Sequence, residues 1–586
     1  MNRHFISLNL PGVTREQGRE RMIRIIYQAL QQVVYYAKDE LPPPLSPERR
    51  LRVATLFEEA STRTRLSSET AAFRLRLDVM NGITRGDSSL LKGETLEDTV
   101  TMLRQNDAWA VVVRTKTEGA GLWLAEEIQR IESADSWIRP GLSVIIGGEG
   151  TLHHWTQVAL DATTWVLAKL GVTSMDHYPI LEELLAQPDA KCRLHDRIAE
   201  ILDHLTLAFV GDMKYSRVVH SHVQLGRFFG IKFLFVGPKE FQPPRWWTKG
   251  LESYRTDNLN DARQGWDFIY FMRTQMERLV GTPENPGSMS AREARALIAP
   301  LNATREFADN CQGWLMHAQP RDSADGMFPD ELKVHPKALV MMASAVGVPT
   351  REAIYIDCHR ARDERGPVFT LPEMEFQESW LTKPPEWWDE HHEELLARYA
   401  GQNQEGIVQS IMNGTAADRF EWQLVPVHDR IFSLDGVYRQ PSGRQILPGR
   451  KLNSPTMVRP KGTIWLFGYD VLPKQAAKHG IVSACSRFSY MRKAGEDLSD
   501  PSTKGYWRVE YPLPLFLEGT FTCLNPNCIT HRSKVKPVFR VEGQKGEVGE
   551  GFWPEVGLEC IYCGQLMSAQ EAVEHDFGNL ILKEDE

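Results

Sequence analysis

At 586 residues the chain is too long for one hydrophobic core, and two to four domains are expected. Its 42% apolar and 25% charged residues are those of a globular protein, and no apolar run approaches the roughly 20 residues of a membrane-spanning helix. A net charge of −9 supplies no basic face for nucleic acid, and the opening MNRHFISLNL lacks the apolar core of a signal peptide, so a cytoplasmic protein with neither nucleic-acid nor membrane partners is expected.

From residue 50 to 360, short apolar runs alternate with amphipathic helical stretches. Arg52 to Phe57 (RVATLF) reads as a strand, followed by a helix through Met80. Ala110 to Val113 and Ser143 to Ile146 read as strands, and Trp155 to Leu170 as a helix stopped by Gly171. Leu205 to Val210 is a strand, Ser216 to Phe229 a helix ended by Gly230, and Ile231 to Val236 and Trp266 to Met272 are strands again. Such alternation predicts an α/β fold, with two parallel-sheet domains covered by helices on both faces. The pattern changes after residue 361. Residues 361–404, rich in Glu, Trp and Pro, read as a linker with one short helix, and 405–515 carry β-like runs and many turn residues. Of eight cysteines, Cys192, Cys311, Cys358 and Cys485 are scattered, whereas Cys523, Cys528, Cys560 and Cys563 form two close pairs.

The sharpest local signal is Ser61-Thr62-Arg63-Thr64-Arg65, directly after a predicted strand and opening a helix. A helix N-terminus offers free N–H groups and partial positive charge, and an arginine there can grip two phosphate oxygens at once. An ordinary capped helix with surface arginines is the plainer reading. Further polar groups follow in order: Ser88 and Lys92 in SSLLKGET, Arg114 at a strand end, His154 and Gln157 opening a helix, Arg217 after LAFVGD, Arg273 and Gln275 in YFMRTQMERL, and His317 to Arg321. They repeatedly fall just past the carboxyl ends of strands, where open α/β sheets bind ligands.

These stretches, in this order, resemble the catalytic chain of aspartate carbamoyltransferase over residues 50 to 355. The resemblance implies two doubly wound domains: 1–160, completed by a return helix at 337–360, for carbamoyl phosphate, and 161–336 for aspartate. It implies transfer of the carbamoyl group to L-aspartate, giving N-carbamoyl-L-aspartate and phosphate in pyrimidine biosynthesis. Carried over residue by residue, Ser61, Thr62, Arg63 and Thr64 would hold the phosphate. Arg114, Thr64 and His154 would polarise the carbonyl, and Gln157, one turn beyond His154, would bind the carbamoyl amide. Ser88 and Lys92 would enter from a neighbouring subunit of a homotrimer or a dimer of trimers. Arg217, Arg273 and Gln275, with Lys92, would hold aspartate, and backbone near Gln319 and Pro320 would contact carbamoyl phosphate. The chain departs from the pattern at Ala318-Gln319, where the family has Pro-Leu, at Trp155, where it has Pro, and at Thr115, where it has His.

Cys523-x4-Cys528-x31-Cys560-x2-Cys563 is a spacing suited to a closed, structural tetrahedral zinc site. Its flanks, CLNPNCITH and LECIYCGQLMS, resemble the zinc domain of the same family's regulatory chain, here expected over 516–586. Residues 408 to 418 resemble the start of that chain's nucleotide domain, placing Asp418 at an effector contact. Arg419 replaces a histidine there, and Trp465 stands in a run (KGTIWLF) where a lysine is usual. A nucleotide effector is therefore one expectation for 405–515, and a role in assembly the other. No organic cofactor is expected.

Two other functions compete. An ornithine-type enzyme would show a cysteine where Ala318 stands, and Lys92 with Arg273-x-Gln275 favours aspartate. A non-catalytic assembly protein on the same fold would have no need to keep the phosphate and carboxylate ligands. Arg351 matches a position of the resembled family, although a lone arginine is usually a solvated or paired surface group; it is given no role, and neither are His220, His222, His391 and His392, which read as groups satisfying local hydrogen bonds.

Overall fold

The computed structural model describes residues 3–59, 61–84, 95–134, 141–151, 153–275, 290–317, 326–364, 367–371, 515–519, 521–533, 535–542, 557–568, 571, 572 and 575, together with seven strands between 377 and 510. In the first sheet, β1 (Arg52–Phe57), β2 (Asp78–Thr84), β3 (Ala108–Thr115) and β4 (Ser143–Glu149) lie in the order β2-β1-β3-β4, all parallel. In the second, β5 (Thr206–Gly211), β6 (Lys232–Val236), β7 (Ser253–Thr256), β8 (Phe268–Met272) and β9 (Trp314–His317) are ordered β7-β6-β5-β8-β9, again all parallel. β4 and β8 are buried along their whole length, as strands of a sheet covered on both faces should be. Both orders reverse direction beside the first strand, so each sheet has a switch point, between β1 and β3 and between β5 and β8.

The helices, in chain order, are α1 (Arg15–Ala37), α2 (Thr62–Arg74), α3 (Leu96–Gln105), α4 (Ala120–Ala134), α5 (Trp155–Lys169), α6 (Tyr178–Ala186), α7 (Ala190–Asp203), α8 (Arg217–Gly226), α9 (Ala291–Ile298), α10 (Arg305–Asn310) and α11 (Val340–Arg360). Thr14 starts α1 through a reciprocal cap: its hydroxyl accepts from the Gln17 amide while Gln17 Oε1 accepts from Thr14 N at 2.9 Å. α5 leaves the first sheet toward the second, and α11 returns, packing against α1, α2 and α5. Apolar side chains between the second sheet and its helices form a closed cluster that includes Phe241, Phe271, Phe307 and Phe328.

Two predicted helices end early. The first stops at Arg74, Arg76 takes a left-handed φ of 59°, and residues 78–84 form an edge strand on β1. Parallel pairing beyond Leu77 overrides helical propensity there. The other gives way at Gly226, where the missing side chain lets the Phe233 ring close on the backbone; an added Cβ would meet that ring at 2.6 Å. Gly171, at φ 85°, ends α5 as expected.

The chain forms two compact units: Met1–Thr370 with Asn527–Ser533, and Leu371–Pro526 with Lys534–Glu586. The stretch read as a linker with one short helix contains a strand, and residues 382–404 lie outside the described residues. Gln377–Leu381 pairs antiparallel with Tyr506–Glu510, which also pairs with Arg487–Met491. Val408–Met412 pairs with Gly462–Leu466. Near the C-terminus Phe516–Glu518, Val538–Glu542, Gly557–Cys560 and Leu566–Ser568 form an antiparallel meander. Asp418 and Arg419 lie outside the described residues.

Candidate active site and metal centre

The carboxyl ends of the two sheets face one cleft of about 660 Å³. After β1, Ser61 stands at the N-cap of α2 without a side-chain cap bond. Its hydroxyl donates to Thr64 Oγ1 at 3.0 Å, which leaves the first helical amides without that partner. Thr62 and Arg63 are exposed on the first turn and Thr64 is buried beneath them. An anion seated there meets N–H groups, two hydroxyls and a guanidinium.

Arg114 ends β3, and its Nη1 donates to Gly147 O at 3.0 Å. Arg217 opens α8, and its Nη1 donates to Glu59 Oε2 at 2.9 Å. Arg114 Nε lies 3.7 Å from the same oxygen, so one carboxylate carries two half-buried cations. Both guanidiniums crowd Gly148, at φ 125°, where an added Cβ would lie 2.9 Å from Arg114 Nη1 and 3.4 Å from Arg217 Nη1. Only glycine combines that backbone with that clearance.

His154 is the N-cap residue of α5 and is buried. Burial, reinforced by Arg114, Arg217 and Arg351, holds its imidazole well below the ordinary histidine range. Gln157 follows on the same helix, and its Nε2 donates to Asp161 Oδ1 at 3.1 Å. From the second sheet, Arg273 and Gln275 follow β8. Gln275 N donates to Asp212 Oδ2 at 3.0 Å, and its Nε2 donates to Tyr215 O at 2.7 Å. Among the expected site residues, Ser61, Thr62, Arg63, Thr64, Arg114, His154, Gln157, Arg217, Arg273 and Gln275 all line the cleft. Ser88, Lys92, Gln319 and Pro320 lie outside the described residues.

The structure adds groups to which sequence reading gave no role. Glu59 sits two residues before Ser61 and bridges Arg114 and Arg217. Arg351, weighed as a surface group, is buried, donates Nη1 to Gly347 O at 2.8 Å and faces the cleft; burial lowers its guanidinium to about 10. His222, also read as an ordinary paired histidine, is fully buried with Nε2 3.2 Å from Asp161 Oδ2. Tyr270 also lines the cleft, as does His317, which already stood in the series of strand-end groups. Asp161 was within reach of sequence reading, since it lies four residues after Gln157 on one helix face. Arg351 matched a position of the resembled family, but its burial, which comes from α11 packing across α5, has no local signal.

Cys523, Cys528, Cys560 and Cys563 are buried, and their Sγ atoms all lie within 4.8 Å of one another. Cys523 and Cys563 Sγ are 3.5 Å apart, close to the roughly 3.8 Å between sulfurs of a tetrahedral site with 2.3 Å metal–sulfur bonds. The Thr530 hydroxyl donates to Cys528 Sγ at 3.3 Å and Gln565 N to Cys563 Sγ at 3.4 Å, contacts that favour thiolates. The donor set fits one closed, four-sulfur metal centre.

The model of the aspartate/ornithine carbamoyltransferase carbamoyl-P binding domain matches residues 18–166, and that of the Asp/Orn binding domain matches 203–356. The model of the aspartate carbamoyltransferase regulatory chain metal binding domain matches 516–573. The aspartate carbamoyltransferase catalytic subunit of Methanocaldococcus jannaschii is 30% identical over 361 residues, 60% of this chain and 96% of that relative. The Aliivibrio fischeri subunit is 37% identical over 233 residues, 39% of this chain and 62% of that relative. Among solved structures, the catalytic subunit of M. jannaschii aspartate transcarbamoylase aligns with a TM-score of 0.47 and 27% identity, covering 62% of this chain and 99% of that one.

Proposed function

The chain belongs to the aspartate carbamoyltransferase family, and we propose that it transfers the carbamoyl group of carbamoyl phosphate to L-aspartate, releasing N-carbamoyl-L-aspartate and phosphate. The observation that carries this reading is the cleft itself: Arg63 and Arg114 from one sheet, and Arg217 and Arg273 from the other, line one cavity. Its size suits two small, multiply charged substrates.

In this reading the first-turn amides of α2, with Ser61, Thr62, Arg63 and Thr64, bind the phosphate. Arg114, Thr64 and the neutral His154 imidazole, which keeps one N–H to give, face the carbonyl oxygen. Gln157 meets the carbamoyl amide. Arg217, Arg273 and Gln275 take the aspartate carboxylates. The aspartate amine attacks the carbonyl carbon, charge builds on its oxygen and on the leaving phosphate, and fixed cations meet both. Holding two substrates in register lowers the entropic barrier. The departing phosphate accepts the proton, so no nucleophilic side chain is required.

The domains follow the same division: 1–160 with the return helix 337–360 for carbamoyl phosphate, 161–336 for aspartate, 361–404 a linker from which Gln377–Leu381 joins the following sheet, 405–515 related to a regulatory nucleotide domain, and 516–586 for metal. The ion is zinc, for which four buried thiols are the usual donors. The chain works in the cytoplasm as a trimer, with Ser88 and Lys92 completing a neighbour's cleft. Residues 405–515 take a nucleotide effector or serve assembly; saturation with aspartate, followed with and without nucleoside triphosphates, separates the two.

Carbamoylation assays with aspartate and ornithine side by side test the reaction. Turnover with aspartate is expected. Turnover with ornithine alone would overturn the substrate, and turnover with neither would make this an assembly protein. Arg63→Ala is expected to lower kcat/KM by about 10²–10³-fold, the scale of losing one fixed donor to developing charge. Activity near that of the unaltered protein would remove Arg63 from the site.

A further inference from the structure

Asp161 borders the cleft but is fully buried. It lies one turn after Gln157 on α5. Its Oδ1 accepts from Gln157 Nε2 at 3.1 Å, and its Oδ2 accepts from the Tyr270 hydroxyl at 2.9 Å. Oδ2 also lies 3.2 Å from Nε2 of His222, a ring anchored by Nδ1 2.6 Å from Val218 O. Tyr270 contacts the Gln157 amide as well.

An amide has two faces, and these contacts choose between them. A carboxylate only accepts hydrogen bonds, so Gln157 must offer it the NH2 group. The reversed amide would set oxygen against oxygen in a site closed to water. With Nε2 held, Oε1 is the atom left for the cleft that Gln157 lines.

We infer that Asp161 is a positioning residue: it locks Gln157 with its carbonyl oxygen toward the bound acyl phosphate, so that the site selects an acyl group bearing NH2 over one bearing a methyl. The inference rests on the proposed binding of carbamoyl phosphate, and it deepens that reading by naming what enforces the choice of acyl group.

Asp161→Asn tests it directly. An asparagine would accept from Tyr270 through oxygen and turn its own NH2 toward Gln157, drawing the glutamine oxygen inward and reversing the amide. The measurement is the dissociation constant of the full-length protein for carbamoyl phosphate and for acetyl phosphate, by calorimetry. In D161N the preference for carbamoyl over acetyl phosphate is expected to fall about tenfold, a change of about 1.4 kcal/mol, while acetyl phosphate binding stays within about twofold. In a Q157A background D161N is expected to leave the preference unchanged, because the lock acts through Gln157 alone. Equal weakening of both ligands, an unchanged preference, or a further loss in Q157A would overturn the inference. Tyr270→Phe keeps the ring, removes one donor to the carboxylate and does not depend on D161N folding. It is expected to lower the preference by about threefold, and an unchanged preference in folded Y270F would also overturn the lock. Unaltered protein that binds carbamoyl phosphate but carbamoylates no aspartate would overturn the proposed reaction and leave the binding preference readable.

Discussion

His154 brings burial, geometry and charge together at one residue. It caps a helix that joins the two sheets, and three arginines lie near enough to hold its imidazole well below the usual range. A group whose folded value is depressed contributes stability that is present above its unfolded value, near 6.5, and is lost as pH falls below it, because the unfolded chain then binds the proton more readily. Comparison with His154→Gln isolates this contribution. Between pH 7.5 and 5.5 the unaltered protein is expected to lose about 1.4 kcal/mol relative to the variant, read by denaturant unfolding at both pH values. A pH-independent difference between the two would mean that His154 is not held neutral. Glu59 teaches a different lesson at this scale. Its place before Ser61 is plain in the sequence, but carrying both Arg114 and Arg217 requires two sheets to meet, which no local pattern encodes.

Among the elements, α2 and α11 matter most, because they join the phosphate-binding turn to the helix that returns from the second sheet. Arg74 Nε donates to Glu352 Oε1 at 2.6 Å between them, and Arg74 Nη2 donates to Glu40 O at 2.8 Å. Glu352 is fully buried, and burial, opposed by Arg74, raises its carboxyl to about 7. Removing the cation by Arg74→Ala strands that carboxyl, at an expected cost of about 3–5 kcal/mol. A raised acid favours the folded state at low pH and loses that advantage as pH rises through its folded value. The variant's deficit is therefore expected to be larger at pH 8 than at pH 5.5, as thermal melts at the two pH values would show. The strands β1, β3, β4, β5, β6 and β8 were legible as apolar runs because they are buried along most of their length, whereas β2 was read in part as helix and β7 and β9 were not read at all. The end of α2 was not legible, because residues 75–80 change state only when β2 finds β1 to pair with.

At the scale of the molecule, the proposed trimer makes a prediction that no single chain can meet. If Lys92 serves a neighbour's cleft while Arg63 serves its own, Arg63→Ala and Lys92→Ala chains are each inactive alone, and mixing them after dissociation restores some complete sites. A random trimer is expected to recover a sizeable fraction of normal activity. No recovery in trimers shown to have exchanged would place Lys92 in its own chain's site. Metal analysis is expected to give one zinc per chain. A chelator is expected to lower the melting temperature of the C-terminal segment while leaving carbamoyl transfer by the trimer near normal, because binding energy at a structural zinc site is folding energy. Retained melting behaviour in metal-free protein would contradict this.

Local features alone were written in the sequence: apolar periodicity marked the most buried strands and parts of three helices, hydroxyls and arginines collected at strand ends, and four cysteines stood at metal-ligand spacing. These features depend on neighbours a few residues apart, or on residue types whose chemistry tolerates few uses. Tertiary structure alone decided which distant side chains share a carboxylate, that Arg351 is buried and that His222 backs Asp161, and which face Gln157 offers the cleft. Each of these arises where two sheets and a returning helix close around the same polar groups, and where packing buries a donor it has to find the acceptor left beside it.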